Sequence, residues 1–304
     1  MKILVTGGTG FLGTALVATL AEHGHHVVVL SRGGASGSRS ASSSVTMVPW
    51  SPDGSVGVWT KEMDEADAIV NLAGAGIADR RWTAARKREI LRSRIDSTRS
   101  LVSALRAATT RPRVFISGSA IGYYGTSDVA TFDESSSAGR DFLADVCVQW
   151  EAAAREAAHP ACRVILLRTG IVLGPHGGAL AKMAMPFRMF AGGPVGSGRQ
   201  WMSWIHRDDW VALVEHALTD ARIDGPLNAV APGPVVNRDF CRALGSALHR
   251  PSWLPTPGFA LRAVLGELAD GLLLQGQRVL PSRAQVVGFG FTYDDVQSAI
   301  LAAI

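Results

Sequence analysis

Lys2-Ile3-Leu4-Val5-Thr6-Gly7-Gly8-Thr9-Gly10-Phe11-Leu12-Gly13 decides the fold of this chain. An apolar run short enough for a buried strand meets glycines spaced G-x-x-G-x-x-G. Apolar residues at helical spacing follow at Phe11, Leu12, Leu16, Val17 and Leu20. Strand, glycine turn and helix in this order make the phosphate-binding start of a dinucleotide fold. Gly7 permits a tight turn, Gly10 lets the backbone approach a pyrophosphate, and Gly13 lets helix and strand pack closely. The pyrophosphate would rest on unpaired amides at the helix N-terminus, which brings Thr9, Phe11 and Leu12 to the same place. A lone glycine triplet is weak evidence; one set between a strand and a helix is not.

The second strand, His26-Val27-Val28-Val29-Leu30, speaks to cofactor choice because it ends at Ser31-Arg32. An NAD-selective site places Asp or Glu roughly 20 residues past the turn, to accept from the ribose 2′-hydroxyl. No carboxylate stands there. Arg32 offers a planar fork of donors suited to a 2′-phosphate, with the Ser31 hydroxyl beside it. A solvated Arg at a strand end is the plainer alternative, and the missing acid tips the reading to NADP(H).

At 304 residues with 47% hydrophobic content, the chain can bury a substantial core in one large or two unequal domains. A net charge of +4 is too mild to imply a nucleic-acid partner. A strand starting at residue 2 leaves no room for a signal peptide, and no run of about 20 apolar residues suggests a membrane span. Cys147, Cys162 and Cys241 lack CxxC spacing and leave one thiol over in any disulfide scheme, so a reducing cytoplasm without a zinc site is expected.

Further strands are expected at Val45–Val48, Ala68–Leu72, Arg113–Ser117 and Arg163–Leu167, each apolar throughout. Between them lie a Gly/Ser/Ala-rich loop from Gly33 to Ser44, a long helix over about Ala84–Ala107 and another over Arg140–Ala158. The loop reads equally as a plain linker or as a lid over the 2′-phosphate. Strands alternating with helices predict an α/β fold: a Rossmann, doubly wound parallel sheet covered on both faces. The second of these strands enters Ala73-Gly74-Ala75-Gly76, small enough for the adenosine half of a cofactor to lie on the backbone. Beyond Gly170, breakers flank a Met-rich helical segment (Ala179–Phe190), and Gln200–His206 reads as a strand before a helix from Arg207. From Gly233 the chain is mostly helical. Residues 1–170, rejoined by 200–230, are therefore expected to bind cofactor. Residues 171–199 and 231–304 would form a smaller, mostly helical C-terminal substrate lobe.

The TGGTGFLG turn, the NLAG strand end, Ser117-Gly118-Ser119 and Ile205-His206-Arg207-Asp208-Asp209 fall in the order of extended short-chain dehydrogenases. Over its whole length the chain resembles an atypical branch of these, the nucleoside-diphosphate-sugar epimerase-like family, sometimes labelled cell-division inhibitor. The motifs carrying that likeness are Arg81-Trp82, Lys87-x-Glu89-Ile90-x-x-Ser93-Arg94, Gly122-Tyr123-Tyr124-Gly125, Trp150-Glu151, Arg168-Thr169-Gly170, Gly196–Gln200, Gln277–Pro281 and Gly288-Phe289. The resemblance implies cofactor contacts at Leu72, Ala73, Gly74, Glu89, Arg94, Ser117 and Val172. It implies substrate-lobe contacts at Arg199, Gln200 and Trp204.

Extended short-chain dehydrogenases carry a Tyr-x-x-x-Lys pair, with Tyr as acid/base and Lys lowering its pKa. Aligned on Trp150-Glu151, this chain has Leu143 and Cys147 at those positions, and Arg94 where a helix Asn is usual. Ser119 matches the family's serine. Tyr123 and Tyr124 follow it closely, and either could take over proton transfer if its pKa were lowered beside Arg94, or both could pack the substrate wall. His206 and Asp208, at a strand end, fit helix capping better than substrate contact. The basic run Arg80, Arg81, Arg86, Lys87, Arg88, Arg92, Arg94 with Trp82 has the look of a nucleic-acid patch. A solvated helix face is the commoner meaning, and the preferred reading turns Arg81 and Arg94 into the cleft toward an anionic diphosphate. The expected function is an NADP(H)-dependent oxidoreductase or epimerase acting on a small anionic substrate, with Ser119, Tyr123 and Tyr124 catalytic. Its rival is a non-catalytic NADP(H)-binding protein that reports redox state.

Overall fold

The computed structural model describes residues 1–33 and 44–304. The proposed lid between Gly33 and Ser44 falls largely outside the described residues. In chain order the first half comprises β1 (Lys2–Thr6), α1 (Phe11–Glu22), β2 (His26–Ser31), β3 (Val45–Pro49), β4 (Ala68–Asn71), α2 (Ala84–Ala107), β5 (Val114–Ala120), β6 (Thr131–Phe132) and α3 (Phe142–Arg155). Then follow β7 (Arg163–Thr169), β8 (Ile171–Leu173), α4 (Gly178–Arg188), β9 (Trp201–Met202), β10 (Trp204–His206), α5 (Arg207–Thr219) and β11 (Gly225–Ala229). The last part contains β12 (Val235–Val236), α6 (Asn237–Leu248), α7 (Gly258–Leu265), α8 (Glu267–Ala269), β13 (Arg278–Val279), α9 (Ser282–Val286) and α10 (Val296–Ala303).

Seven strands form one sheet in the order β11-β7-β5-β4-β1-β2-β3, and all its pairings are parallel. Each central strand is apolar throughout because both of its faces are covered. Ile3, Val5, Val27, Val29 and Val70 pack with α1 and α5 residues on one side, while Leu4, Val28, Leu30 and Ile69 meet Leu101, Leu105 and the Trp50–Trp59 pair on the other. A one-residue slip would exchange the two faces, so burial on both sides fixes the register. The chain leaves β1 toward β2 in one direction and returns at β4 in the other. That reversal opens a crevice at the carboxyl ends of β1 and β4, where sheets of this kind bind ligands.

The helical C-terminal lobe has its own core, in which Phe187, Trp204, Phe240, Leu244 and Ile300 are buried together. The predicted Gln200–His206 strand is two short ones, β9 and β10, pairing with β12 and β8 respectively. β11 has no apolar run to announce it, yet it completes the sheet beside β7. No helix among the described residues is long and apolar enough to cross a membrane.

Candidate active site

The turn after β1 is built for close approach. Gly7 has φ +67°, and a Cβ there would lie 2.8 Å from the Leu72 carbonyl carbon, so the loops after β1 and β4 touch at the crevice. A Cβ on Gly13 would overlap the Gly7 carbonyl oxygen and come within 2.6 Å of Gly8 Cα. α1 therefore starts hard against the turn. Its N-cap, Gly10, has no side-chain cap, and no acidic residue sits in the first turn. The partial positive charge of the helix end is left for an anion. The Phe11 ring packs beneath Gly174, Gly177 and Gly178, where a Cβ would come within 2.7–3.2 Å of it. Arg32 is exposed just past the end of β2, without an ion pair among the described residues, and Ser31 is half-buried beside it. These features fit a dinucleotide carrying an extra phosphate.

Behind the crevice a buried polar thread ties four elements together. Thr6 Oγ1 donates to Asn71 Oδ1 (2.7 Å), Asn71 Nδ2 to Thr98 Oγ1 (2.9 Å), and Trp150 Nε1 to the same Thr98 oxygen (3.0 Å). Thr6 Oγ1 also accepts from the Leu72 and Ala73 amides at 3.2 Å, which sets the strand end where the adenosine half was expected. Gly74, Ser117 and Val172 line up as the resemblance implied only in position: Gly74 is exposed, whereas Ser117 and Val172 are buried.

A second network lies at the carboxyl end of β5. Ser119 Oγ donates to Glu151 Oε1 (2.8 Å), and Glu151 receives Arg168 through two bonds, Nε to Oε1 at 2.7 Å and Nη2 to Oε2 at 2.9 Å. Arg168 Nη1 donates to the Tyr124 hydroxyl (3.0 Å), which in turn donates to Asn228 Oδ1 (2.7 Å). Burial disfavours the charge on Arg168, but the hydrogen bonds and charge of Glu151 outweigh it and leave the guanidinium more basic than usual. Ser119, Tyr124, Glu151 and Arg168 are all buried.

This network corrects the reading of the tyrosines. Tyr124 adjoins Arg168, not a pKa-lowering Arg94, and burial pushes its phenol up to about 12 despite that guanidinium. Its proton is already given to Asn228, so it cannot serve as an acid/base near neutral pH. Tyr123 is half-buried, with the Arg168 guanidinium carbon 3.4 Å from its ring centroid, and its hydroxyl makes no hydrogen bond among the described residues.

Arg94 folds onto the loop that follows β4. Its Nη1 donates to the carbonyls of Ala75 and Ile90, both at 3.0 Å, and its guanidinium lies 5.1 Å from the Trp150 ring centroid. No carboxylate pairs with it among the described residues, and burial lowers its pKa from the usual guanidinium value. Such a group is costly to bury without an anion. Cys147 stands nearby with its thiol on the Ala120 carbonyl (3.7 Å), pushed up to about 11 by burial and by the Glu151 charge. At pH 8, iodoacetamide is therefore expected to leave Cys147 unmodified in the native protein while labelling it in urea. Cys147→Ala should leave cofactor affinity within about twofold; rapid native labelling would contradict the inert-thiol assignment.

Other expected contacts lie elsewhere. Trp204 is fully buried in the lobe core, with its indole N–H on the Gly233 carbonyl (2.8 Å). Gln200 is buried, and its amide holds the Val195 and Leu273 carbonyls at 3.0 and 2.8 Å. Both are buried, with the Trp204 indole N–H and the Gln200 side-chain N–H groups given to loop backbone. Arg199 is exposed. Arg81 reaches away from the crevice to the Ala263 carbonyl of α7 at 2.6 Å. Glu89 is exposed and paired with Arg86 at 2.8 Å. The basic run is thus largely consumed: Lys87 pairs with Glu267, and Arg86 holds the Gly76 carbonyl, Asp79 and Glu89. His206 caps α5, accepting from the Asp208 amide at 3.2 Å. Among the described residues no cluster of His, Cys, Asp and Glu could hold a metal.

Residues 3–229 match the NAD dependent epimerase/dehydratase family. The chain belongs to that family. Residues 256–303, which include α7 and α10, match a domain of unknown function, DUF1731. Among curated proteins, the chain is 46% identical to the "Epimerase family protein SDR39U1 homolog, chloroplastic" of Arabidopsis thaliana, over 99% of this chain and 86% of that protein. It is 40% identical to the epimerase family protein YfhF of Bacillus subtilis, over 99% of this chain and 97% of the relative. Among solved structures, human epimerase family protein SDR39U1 (isoform 2) with NADPH superposes with a TM-score of 0.90 at 36% identity, over 99% of this chain and 98% of that one. A Bacillus cereus UDP-glucuronic acid 4-epimerase, at 18% identity and TM-score 0.79 over 99% and 97% of the two chains, shares the fold.

Proposed function

We propose that this family member is an NADP(H)-dependent oxidoreductase or epimerase acting on a small anionic substrate. The observation that carries the proposal is the turn after β1, where only glycine fits at position 13 and an uncapped helix end meets the crevice. The similar human protein was solved with NADPH, which agrees with the absence of an acid at the end of β2. When bound, the cofactor supplies a hydride donor or acceptor at its nicotinamide C4. Gly7, Thr9, Gly10, Phe11, Leu12 and Gly13 would hold the pyrophosphate, Ser31 and Arg32 the 2′-phosphate, and Leu72, Ala73 and Gly74 the adenosine side. The Ser119 proton is committed to Glu151, so Ser119 can only accept a hydrogen bond from a substrate group. Tyr123 is the nearby hydroxyl left to donate. Residues 171–199 and 231–304 would close over the substrate, and three buried free thiols suit a reducing cytoplasm.

NADP(H) is expected to bind at least ~10-fold more tightly than NAD(H), a difference of about 1.4 kcal/mol. Arg32→Ala should remove most of that preference in a fluorescence titration. Equal wild-type midpoints for the two cofactors would end the assignment.

One observation favours the non-catalytic redox reporter: Leu143, in the place of the acid/base Tyr, packs into an apolar cluster with Trp82, Ile90 and Leu268. Following NADPH absorbance against a panel of sugar nucleotides and carbonyl compounds separates the two. Turnover lost in Tyr123→Phe supports the enzyme, and cofactor binding without turnover supports the reporter.

A further inference from the structure

The mouth of the crevice is apolar in a way that a nucleotide-sugar site does not require. α4 begins at the glycines packed on Phe11, beside the phosphate turn. Its Lys182 reaches across to the Ala78 carbonyl (3.3 Å) and lies 3.9 Å from Asp79, on the loop that follows β4. Met185, three residues further on, lies on the same stripe of the helix as Lys182, and Met189 caps the helix end. Both methionines are more than half exposed, as are Phe190, Trp253 and Phe259. The segment carrying Trp253 is tied to the end of α4: its indole N–H bonds the Phe190 carbonyl (3.2 Å), and the Trp253 and Leu254 amides both bond the Gly192 carbonyl at 3.1 Å. α7, which carries Phe259, buries none of its residues fully and is held by Arg81 to the loop that follows β4. Exposed apolar side chains on segments tied together in this way, set beside a polar site, mark a ligand groove more often than plain surface.

At the inner end of this surface lies one uncompensated charge. Arg94 holds only backbone carbonyls, whereas Arg168 is neutralised by Glu151. Gly74, against which the Arg94 side chain packs, is four residues from Ala78, so at most about 14 Å of chain separates Gly74 from the residue that Lys182 bonds. Two of the three positions expected to meet a nucleotide diphosphate, Gln200 and Trp204, are buried in structural bonds.

Resting on the reading of the crevice as an NADP(H) site, we infer that the substrate is a carboxylate-type anion carried on an apolar body, not a nucleotide sugar. Its charged end lies at Arg94, and its apolar end runs along Met185, Met189 and Phe259. Binding energy then comes from removing those side chains and the ligand together from water, so affinity grows with apolar length.

Calorimetric titration of the chain saturated with NADPH tests this with butanoate, octanoate, octanol and UDP-glucuronic acid. Octanoate should bind at least about tenfold more tightly than butanoate, ~1.4 kcal/mol. The double variant Met185→Ser/Phe259→Ser should erase that gain with NADPH affinity unchanged, and Arg94→Ala should reduce octanoate to the level of octanol. Equal affinities for butanoate and octanoate, a length effect that survives the double variant, or tighter binding of UDP-glucuronic acid would overturn the inference. The preceding NADPH titration stands apart. If NADPH fails to bind, the cofactor assignment fails on its own, and the same length series on the bare chain still decides the apolar groove.

Discussion

Glu151→Ala is expected to lower the unfolding free energy by about 3–5 kcal/mol in urea denaturation, the usual cost of removing one partner from a buried ion pair. The reason is local. Glu151 accepts from Ser119 and twice from Arg168, and all three side chains are buried. Without the carboxylate, Arg168 keeps a desolvated charge with only the Tyr124 hydroxyl as a strong partner. Arg155, the other cation on Glu151 at 3.4 Å, is half-exposed and loses little. Glu151→Gln should cost distinctly less, since the amide oxygen still accepts and the shape is kept. If the Ala variant unfolds within about 1 kcal/mol of the wild type, the pair does not exist in solution as described.

Gly13→Ala should be the most damaging single methyl group in the chain for cofactor binding. The added carbon meets main chain, the Gly7 carbonyl and Gly8 Cα, and neither can swing aside as a side chain would. Either α1 backs away from the turn or the turn opens, and both spoil the anion cradle. A loss of about 1–3 kcal/mol of stability is expected from overpacking. NADPH affinity should fall about a hundredfold, ~2.7 kcal/mol. Gly290→Ala, where an added carbon meets nothing within 4 Å, is the matched control and should change neither quantity. Wild-type NADPH affinity in Gly13→Ala would show that the cofactor's phosphates lie elsewhere.

The parts of the fold that follow from local chemistry were legible in the sequence. The long helix is legible over about Ala84–Ala107, the span of α2, from Ile90, Leu91, Ile95, Leu101, Val102 and Leu105 at helical spacing, and Thr83 caps its start by accepting from the Arg86 amide. Buried strands declare themselves by apolar runs, and β11 lacks one: Gly225-Pro226-Leu227-Asn228-Ala229 pairs with β7 through backbone alone. The site was legible where it is made of contiguous glycines. It was not where it depends on residues distant in sequence. Trp150-Glu151 and Arg168-Thr169-Gly170 were visible as motifs, but nothing in either says that a carboxylate on α3 and a guanidinium on β7 close over Ser119. Trp204 and Gln200 were misplaced for the converse reason. The family resemblance alone puts them with the substrate, and here the lobe's own carbonyls claim the Trp204 indole N–H and the Gln200 side-chain N–H groups.

The thread from Thr6 through Asn71 and Thr98 to Trp150 bears on how such a chain can change over time. Its hydrogen bonds pass through shared atoms: Thr98 Oγ1 accepts from two neighbours while giving its own proton to the Arg94 carbonyl at 2.7 Å. Replacing any one member strands a buried donor or acceptor, whereas exchanging several together for apolar groups of similar shape leaves no orphan. The effects of these substitutions are therefore strongly non-additive. Under selection the four positions behave as a single inherited character spanning β1, β4, α2 and α3, passed on intact or replaced as a set, since most one-step routes between the two run through a less stable protein.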